Sequence, residues 1–171
     1  QKLFKLNNKD KLIIGTPFKQ SITQRLIFLS LVMGSTCVIM QKFTPEKWTK
    51  YVSDQSITFS ILVSSQIESI SQFLKKKKYK LKSLKSLVSC CAQLREDTKK
   101  NILPYLSGNL VDTYGATEIG TLTKSIISIN KNNENMGKKI KESKLTFYDN
   151  DKNKFSKKKG EICVKTPLIF S

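Results

Sequence analysis

The chain contains no histidine. That absence excludes a Ser-His or Cys-His nucleophile system within these residues. Arginine is nearly missing as well: only Arg25 and Arg95 occur, so lysine supplies the rest of the 31 basic residues. Readers of phosphates and base edges draw on the planar, bidentate guanidinium, so the formal net charge of +18 does not read as a nucleic-acid interface. The lysines are scattered among Asn, Ile and Ser, as an AT-rich coding bias leaves them, and the densest run, Lys75 to Lys78, reads as a solvated loop. A surface this basic still attracts anionic substrates at low salt. The four cysteines, Cys37, Cys90, Cys91 and Cys163, form no Cys-x-x-Cys pair and have no histidine with which to complete a metal site. A disulfide between adjacent Cys90 and Cys91 would be strained, so reduced thiols in a cytoplasmic protein are expected. Long apolar runs are also lacking. Leu26 to Met40 is broken by Ser30, Gly34, Ser35 and Thr36, short of the ~20 clean residues of a membrane span, and no signal peptide is visible.

What remains is a near-average globular composition, 39% hydrophobic and 26% charged over 171 residues, enough for one domain with a core or a piece of a larger one. The first residue is Gln and the chain stops just after a predicted strand, so it reads as an internal fragment. Lys11 to Gly15 reads as a strand, and Ser21 as the cap of a helix to about Met33, with Ile22, Leu26 and Leu29 on its buried face and Gly34 as its stop. Thr36 to Met40 reads as a strand buried on both faces. Thr44-Pro45-Glu46 starts a helix that turns Trp48, Tyr51 and Val52 inward. Ser56 to Val63 is the next strand, and Ser64 or Ser65 caps a helix through Ile67 and Ile70 to Leu74. Leu84 to Ser89 is a strand, Arg95 to Leu103 a helix stopped by Pro104, and Asn109 to Tyr114 a strand again.

This alternation predicts an α/β fold, a mostly parallel sheet with flanking helices joined by right-handed crossovers. After about Ile119 the pattern changes. Ser125 to Ile129, Lys144 to Tyr148 and Glu161 to Lys165 read as strands, with a polar loop at Asn130 to Asn135, a turn at Met136-Gly137 and a charged loop from Asp149 to Lys159. The expected organisation is an α/β unit over residues 1–120, followed from 121 to 171 by the start of a small β-rich subdomain.

Asp112 to Gly120, Asp-Thr-Tyr-Gly-Ala-Thr-Glu-Ile-Gly, concentrates the chemistry. Leu110-Val111 leads in, and Gly115 is expected to make a sharp turn at positive φ. Thr117 and Glu118 would then project from the carboxyl end of the strand, the edge where open α/β sheets bind ligands. Tyr114 offers a flat face for a base, Thr117 a hydroxyl for a phosphate oxygen, and Glu118 a hard oxygen ligand for Mg²⁺. A strand-to-helix turn whose Thr caps the next helix explains the same residues without any ligand.

Tyr-Gly-Ala-Thr-Glu resembles the signature of the adenylate-forming superfamily: acyl-CoA synthetases, luciferases and peptide-synthetase adenylation domains. Leu84 to Leu94, with Cys90-Cys91-Ala92-Gln93, resembles the strand and small-residue turn that packs on adenine. Gly160-Glu161-Ile162-Cys163-Val164-Lys165 resembles the Gly-Glu-Ile strand that follows, and Ile13 to Phe18 the strand ending in a Pro-aromatic turn near the acyl pocket. The four blocks fall in family order and span nearly the whole chain.

The resemblance implies an AMP-forming ligase, most like an acyl-CoA synthetase, that uses ATP, Mg²⁺ and CoA to activate a fatty or related acid. The closest rival is an amino-acid or aryl-acid adenylation domain serving a carrier protein, and the rival of another class is a basic nucleic-acid-binding module. By resemblance Tyr114 flanks adenine, Thr117 hydrogen-bonds the α-phosphate and Glu118 holds Mg²⁺. Asp112 lies towards the adenine amino group, Cys91, Ala92 and Gln93 line the other side of the base, and Thr113 and Gly115 complete the nucleotide edge. The chain departs from relatives in having Cys91 where glycine is frequent and Lys19-Gln20 where a histidine often follows the Pro-aromatic turn. The phosphate loop, the ribose-binding Asp and the catalytic lysine of the family are expected outside these residues. Leu31, Val32 and Met33 read equally well as core or as pocket lining.

Overall fold

A computed structural model of the chain describes residues 1–77, 79–128, 135–156 and 158–167. After a 3-10 turn at Lys2–Phe4 come β1 (Lys11–Ile14), α1 (Ser21–Met33), β2 (Thr36–Ile39), α2 (Pro45–Asp54), β3 (Phe59–Val63) and α3 (Ser64–Lys77). Then follow β4 (Ser86–Cys90), α4 (Glu96–Ile102), a second 3-10 turn (Leu103–Tyr105), β5 (Asn109–Ala116), β6 (Gly120–Ile127) and β7 (Lys138–Lys139). The chain continues through β8 (Lys144–Asp149), β9 (Lys154–Ser156) and β10 (Glu161–Lys165).

Seven strands make the main sheet, in the order β2-β1-β3-β4-β5-β6-β7. Neighbours from β2 to β5 pair in parallel, while β6 and β7 add antiparallel. The expected mostly parallel α/β sheet is therefore present. A second sheet, β10-β8-β9, is antiparallel. The strands after residue 120 divide between the two: β6 and β7 extend the large sheet, and the small one starts at Lys144.

Central strands of a parallel sheet are covered on both faces and read as continuous apolar runs. Alternate residues of β1 show why. Ile13 packs with Trp48, Val52, Leu62, Ile67 and Ile70 on the face that carries α2 and α3. Leu12 and Ile14 pack with Leu26 of α1, Phe59, Ile61, Val88 and Val111 on the other. Each such side chain contributes about 1.5–3 kcal/mol when fully buried. Trp48 is fully enclosed and directs its indole N–H to Ser60 Oγ at 3.4 Å.

Several local expectations need correction. The strand over Thr36–Ile39 is not buried on both faces: β2 pairs only with β1, and Ile39 is 59% exposed. The strand expected from Ser56 begins at Phe59, because Ser56 takes φ 52 and closes α2 instead. Its N–H reaches Ser53 O, and the Ile57 N–H reaches Val52 O, which is a Schellman ending made without glycine. Tyr51 stays exposed, and Thr49 joins Trp48 and Val52 on the buried face. Ser21 is the first helical residue rather than the cap of α1, which falls on Gln20 without a side-chain bond. Lys75, Lys76 and Lys77 form the last turn of α3 rather than a loop, a placement that suits the helix dipole; Lys78 lies outside the described residues. The charged stretch after Asp149 contains β9, and most of the predicted loop at Asn130 to Asn135, together with Ile129, lies outside the described residues. As expected, Thr44 caps α2 through the Lys47 N–H at 3.2 Å.

Candidate functional site

The carboxyl ends of β1, β3, β4 and β5 lie side by side, and the loops leaving them form one rim. Each loop is held by polar contacts to a distant element. After β1, Gly15 O accepts from Gln66 Nε2 of α3 at 2.9 Å, and Thr16 Oγ1 meets Thr23 Oγ1 of α1 at 2.6 Å. Gly15 is pressed closely: a Cβ there would stand 3.0 Å from Phe43 and 3.1 Å from Leu62. Phe18, next along, is 69% exposed.

The loop after β4 carries Cys91, Ala92 and Gln93, all exposed. Cys91 has φ 73, a left-handed conformation that disfavours any residue with a Cβ. Ser64, the first residue of α3, donates its hydroxyl to Ala92 O at 2.5 Å. From the other side the Leu94 N–H donates to Asp112 Oδ2 at 3.3 Å. Cys90 is half-buried with Sγ 3.5 Å from Leu62 O. Burial, with the neighbouring Cys91 and the charge of Asp112, pushes its thiol up to about 12. A cleft of about 390 Å³ opens beside this loop, walled by Val63, Ser64, Ser65 and Glu68 on one side and Cys91 to Arg95 and Thr98 on the other.

On β5 the side chains divide by burial. Asp112 is 3% exposed and sits beneath the loop, its carboxylate turned to the Leu94 amide rather than to the open rim. Burial raises its carboxyl, against the opposing pull of that amide and the Lys99 charge. Its Oδ1 and Ser89 Oγ are buried without a hydrogen-bond partner among the described residues. Thr113 is also buried and ties β5 to β4 through Ser89 O at 2.7 Å. Tyr114 through Glu118 are exposed.

Gly115 does not turn at positive φ. It stays in β5 at an irregularity of the ladder between Tyr114 and Gly115. Glycine is required there for another reason: a Cβ would stand 2.0 Å from Gly120 O. The positive φ, 68, belongs to Gly120. The tip is Thr117-Glu118-Ile119, closed by the Ile119 N–H on Ala116 O at 3.3 Å. The next element is the antiparallel strand β6, so Thr117 caps no helix. It is instead pinned to α1: its Oγ1 lies 3.2 Å from Ser21 Oγ, and its carbonyl accepts from Arg25 Nη2 at 2.5 Å. Nothing in the local pattern around Ser21, Arg25 or Ser64 marks these supporting roles, because each depends on how the strands are ordered.

Glu118 is the one carboxylate of this tip, and among the described residues no cluster of three or more acidic or cysteine side chains could hold a metal unaided. That donor set fits Mg²⁺, which usually takes one or two carboxylates and completes its shell with water and substrate phosphates. On the α1 side of the hairpin lies a larger, mostly apolar cleft of about 980 Å³, lined by Phe4, Ile22, Arg25, Leu26, Leu29, Phe59, Ile61 and Thr121 among others. Leu31, Val32 and Met33 do not line it, and Leu31 and Val32 face outward.

The family model described as AMP-binding enzyme matches residues 1–171. No curated protein matches the chain. Among solved structures it is similar to O-succinylbenzoate Coenzyme A Synthetase from Bacillus subtilis in complex with ATP and magnesium ion, at 16% identity and TM-score 0.82 over 96% of this chain and 34% of that one. It is similar to the nonribosomal peptide synthetase FmoA3 in an AMPPNP-bound form, at 20% identity and TM-score 0.85 over 99% of this chain and 19% of that one. A third likeness is to the N-terminal domain of FACL13 from Mycobacterium tuberculosis, at 15% identity and TM-score 0.81 over 96% and 42%. The chain thus spans about a third of the length of the synthetase structure.

Proposed function

The chain belongs to the AMP-binding enzyme family, and from that premise we propose that it carries the nucleotide-binding edge of an ATP-dependent ligase. The reaction joins a carboxylic acid, of the fatty class, to the α-phosphate of ATP with release of pyrophosphate. The acyl group then passes to the thiol of CoA and AMP leaves. The observation that supports this most is the single rim made by two exposed loops on adjacent parallel strands, Cys91–Gln93 after β4 and Tyr114–Glu118 after β5.

In this reading the backbone and small side chains of Cys91, Ala92 and Gln93 form one wall for adenine and Tyr114 the other. Asp112 and Thr113 set the height of both walls from below, through Leu94 and Ser89. Thr117 offers its hydroxyl to the α-phosphate while Arg25 and Ser21 fix its position. Glu118 holds the metal, and Mg²⁺, when bound, supplies neutralisation of phosphate charge. What the protein contributes to the first step is alignment of the attacking carboxylate and preorganised polar groups at the phosphorus. The apolar cleft beside α1 suits the body of the acid.

Acid-dependent exchange of labelled pyrophosphate into ATP tests the reading on the full-length protein that carries this sequence. Exchange with fatty acids supports it, and its absence with every carboxylic acid tried contradicts it. Offering CoA or a carrier protein to the adenylate decides between the acyl-CoA synthetase and the carrier-loading adenylation domain.

A further inference from the structure

The cleft beside α1 is apolar in its depth, where Phe4, Leu26, Phe59 and Ile61 line it, yet one charged side chain rises from its floor. Lys124 of β6 stands opposite Thr113 of β5, and Ile126 opposite Val111. Residues directly opposed in an antiparallel ladder share a face, as do alternate residues of a strand. Val111 packs in the core on the α1 side, so Lys124 points to that side, into the cleft. It is half-buried there; its ammonium donates to Leu3 O at 2.8 Å and lies 5.8 Å from the centre of the Phe4 ring. An ammonium has three donors, and neither a carbonyl nor a ring face neutralises it. No carboxylate pairs with Lys124 among the described residues, and Glu142, the one acidic residue of the cleft wall, is exposed and engages none of its cations. The other lysines that line the cleft are exposed, where water and salt screen them. Lys124 differs in standing among apolar side chains, where one opposite charge counts for more.

We infer that Lys124 selects an acid with a second carboxylate at its far end, an α,ω-dicarboxylic acid of medium chain length. The fate of the first carboxylate rests on the activation reading above; uptake of the diacid at Lys124 does not. From Gly120 at the hairpin tip to Lys124 the chain advances four residues along β6, about 13 Å at the usual rise of a strand. The first carboxylate meets ATP at the tip, and the methylene chain lies along Ile22, Leu26 and Ile61. The distal carboxylate then accepts from the N–H groups of Lys124 that Leu3 O leaves free. A simple fatty acid of the same length buries its methyl end against an ammonium that keeps no carboxylate partner. One residue thus favours the diacid and disfavours the monoacid.

The test compares decanedioic with decanoic acid in pyrophosphate exchange by the full-length protein, as wild type, Lys124→Met and Lys124→Arg. Binding of each acid is measured separately by calorimetry without ATP. The wild type should prefer the diacid by about tenfold or more in kcat/KM, the gain expected of a charge-assisted hydrogen bond in a half-buried setting. Lys124→Met keeps the length of the side chain without its charge. It should raise KM for the diacid about tenfold, with kcat and the use of decanoic acid little changed. Lys124→Arg should keep the preference. Equal use of the two acids by the wild type overturns the inference. So does a Lys124→Met protein that loses both acids alike, since that marks a purely structural role for the ties to Leu3 and Phe4. Lys124-dependent binding of the diacid without any exchange keeps this inference and overturns the activation reading; exchange with decanoic acid alone does the reverse. Neither binding nor exchange overturns both.

Discussion

Thr117 and Ser21, 96 positions apart, share a hydrogen bond of 3.2 Å between their hydroxyls, and Arg25 donates to the Thr117 carbonyl one turn further along the same helix. The tip of the β5–β6 hairpin is thereby fastened to the start of α1. Glu118, the next residue, inherits that fixed position.

Removing the fastening should therefore loosen the tip more than the fold. Arg25→Ala deletes one bond at an exposed site where water competes for both groups, a loss of about 0.5 kcal/mol. Hydrogen exchange of the amides from 117 to 120 should rise while the melting temperature barely moves, and pyrophosphate exchange should slow about tenfold. Unchanged amide exchange would show that the tip holds itself.

Cys91→Gly should stabilise the protein. A residue with a Cβ at φ 73 costs about 1–2 kcal/mol, and glycine returns about 0.5–1 of that through its looser unfolded state. A net gain near 1 kcal/mol corresponds to a rise of about 2–4 °C in melting temperature. A fall in melting temperature would mean that the thiol's contacts outweigh the strain.

Gly115→Ala should do the opposite. Its Cβ would stand 2.0 Å from Gly120 O, a backbone atom that no rotamer change can move. Such overpacking costs about 1–3 kcal/mol or more, and the hairpin that carries Thr117 and Glu118 should be displaced. Thermal denaturation with pyrophosphate exchange reads both effects.

Two buried carboxylates should give stability opposite pH dependences. For Asp10, burial acts to raise the carboxyl, but hydrogen bonds from Lys85, the Asn7 amide and Thr58, with the Lys85 charge, hold it below its usual range. Its contribution is present above the unfolded value of about 3.9 and is lost as pH falls through the lower folded value. Asp112 is raised by burial, so the folded state binds its proton more tightly and stability falls as pH climbs from the unfolded value through the folded one. Asp10→Asn should lose acid-dependent stability, by about 1–3 kcal/mol at neutral pH. Asp112→Asn should remove the penalty above its folded value. Denaturant titrations at a series of pH values separate the two; matching slopes for the variants would refute the assignment.

Much of this architecture was legible in the residues. Lys11 to Gly15 and Ser56 to Val63 announce strands by their apolar and β-branched residues, although the second begins only at Phe59, and Thr44-Pro45-Glu46 announces a helix start that the structure reproduces. That the Cys91–Gln93 turn and the Tyr114–Glu118 cluster share one rim was legible through the family resemblance, not from either local pattern alone. Less legible was which glycine does what. Gly115 and Gly120 flank the same tip, and local pattern does not say that one needs φ 68 and the other needs only the absence of a Cβ. Thr36–Ile39 is apolar enough for a central strand, but its place beside β1 alone follows from the order of the whole sheet. The same holds for the bonds from Leu94 to Asp112 and from Ser64 to Ala92.

In the proposed reading Glu118 holds Mg²⁺ against the phosphates of ATP at the tip of this hairpin. Glu118→Gln preserves size and removes charge at an exposed position, so the fold and the binding of the acid should change little. The decisive measurement is acid-dependent pyrophosphate exchange by the full-length protein at saturating Mg²⁺, with circular dichroism confirming that the variant is folded. Loss of one preorganised electrostatic contact predicts a rate lower by about 10²–10³. A folded Glu118→Gln protein that exchanges at the wild-type rate would contradict the metal-holding role of Glu118.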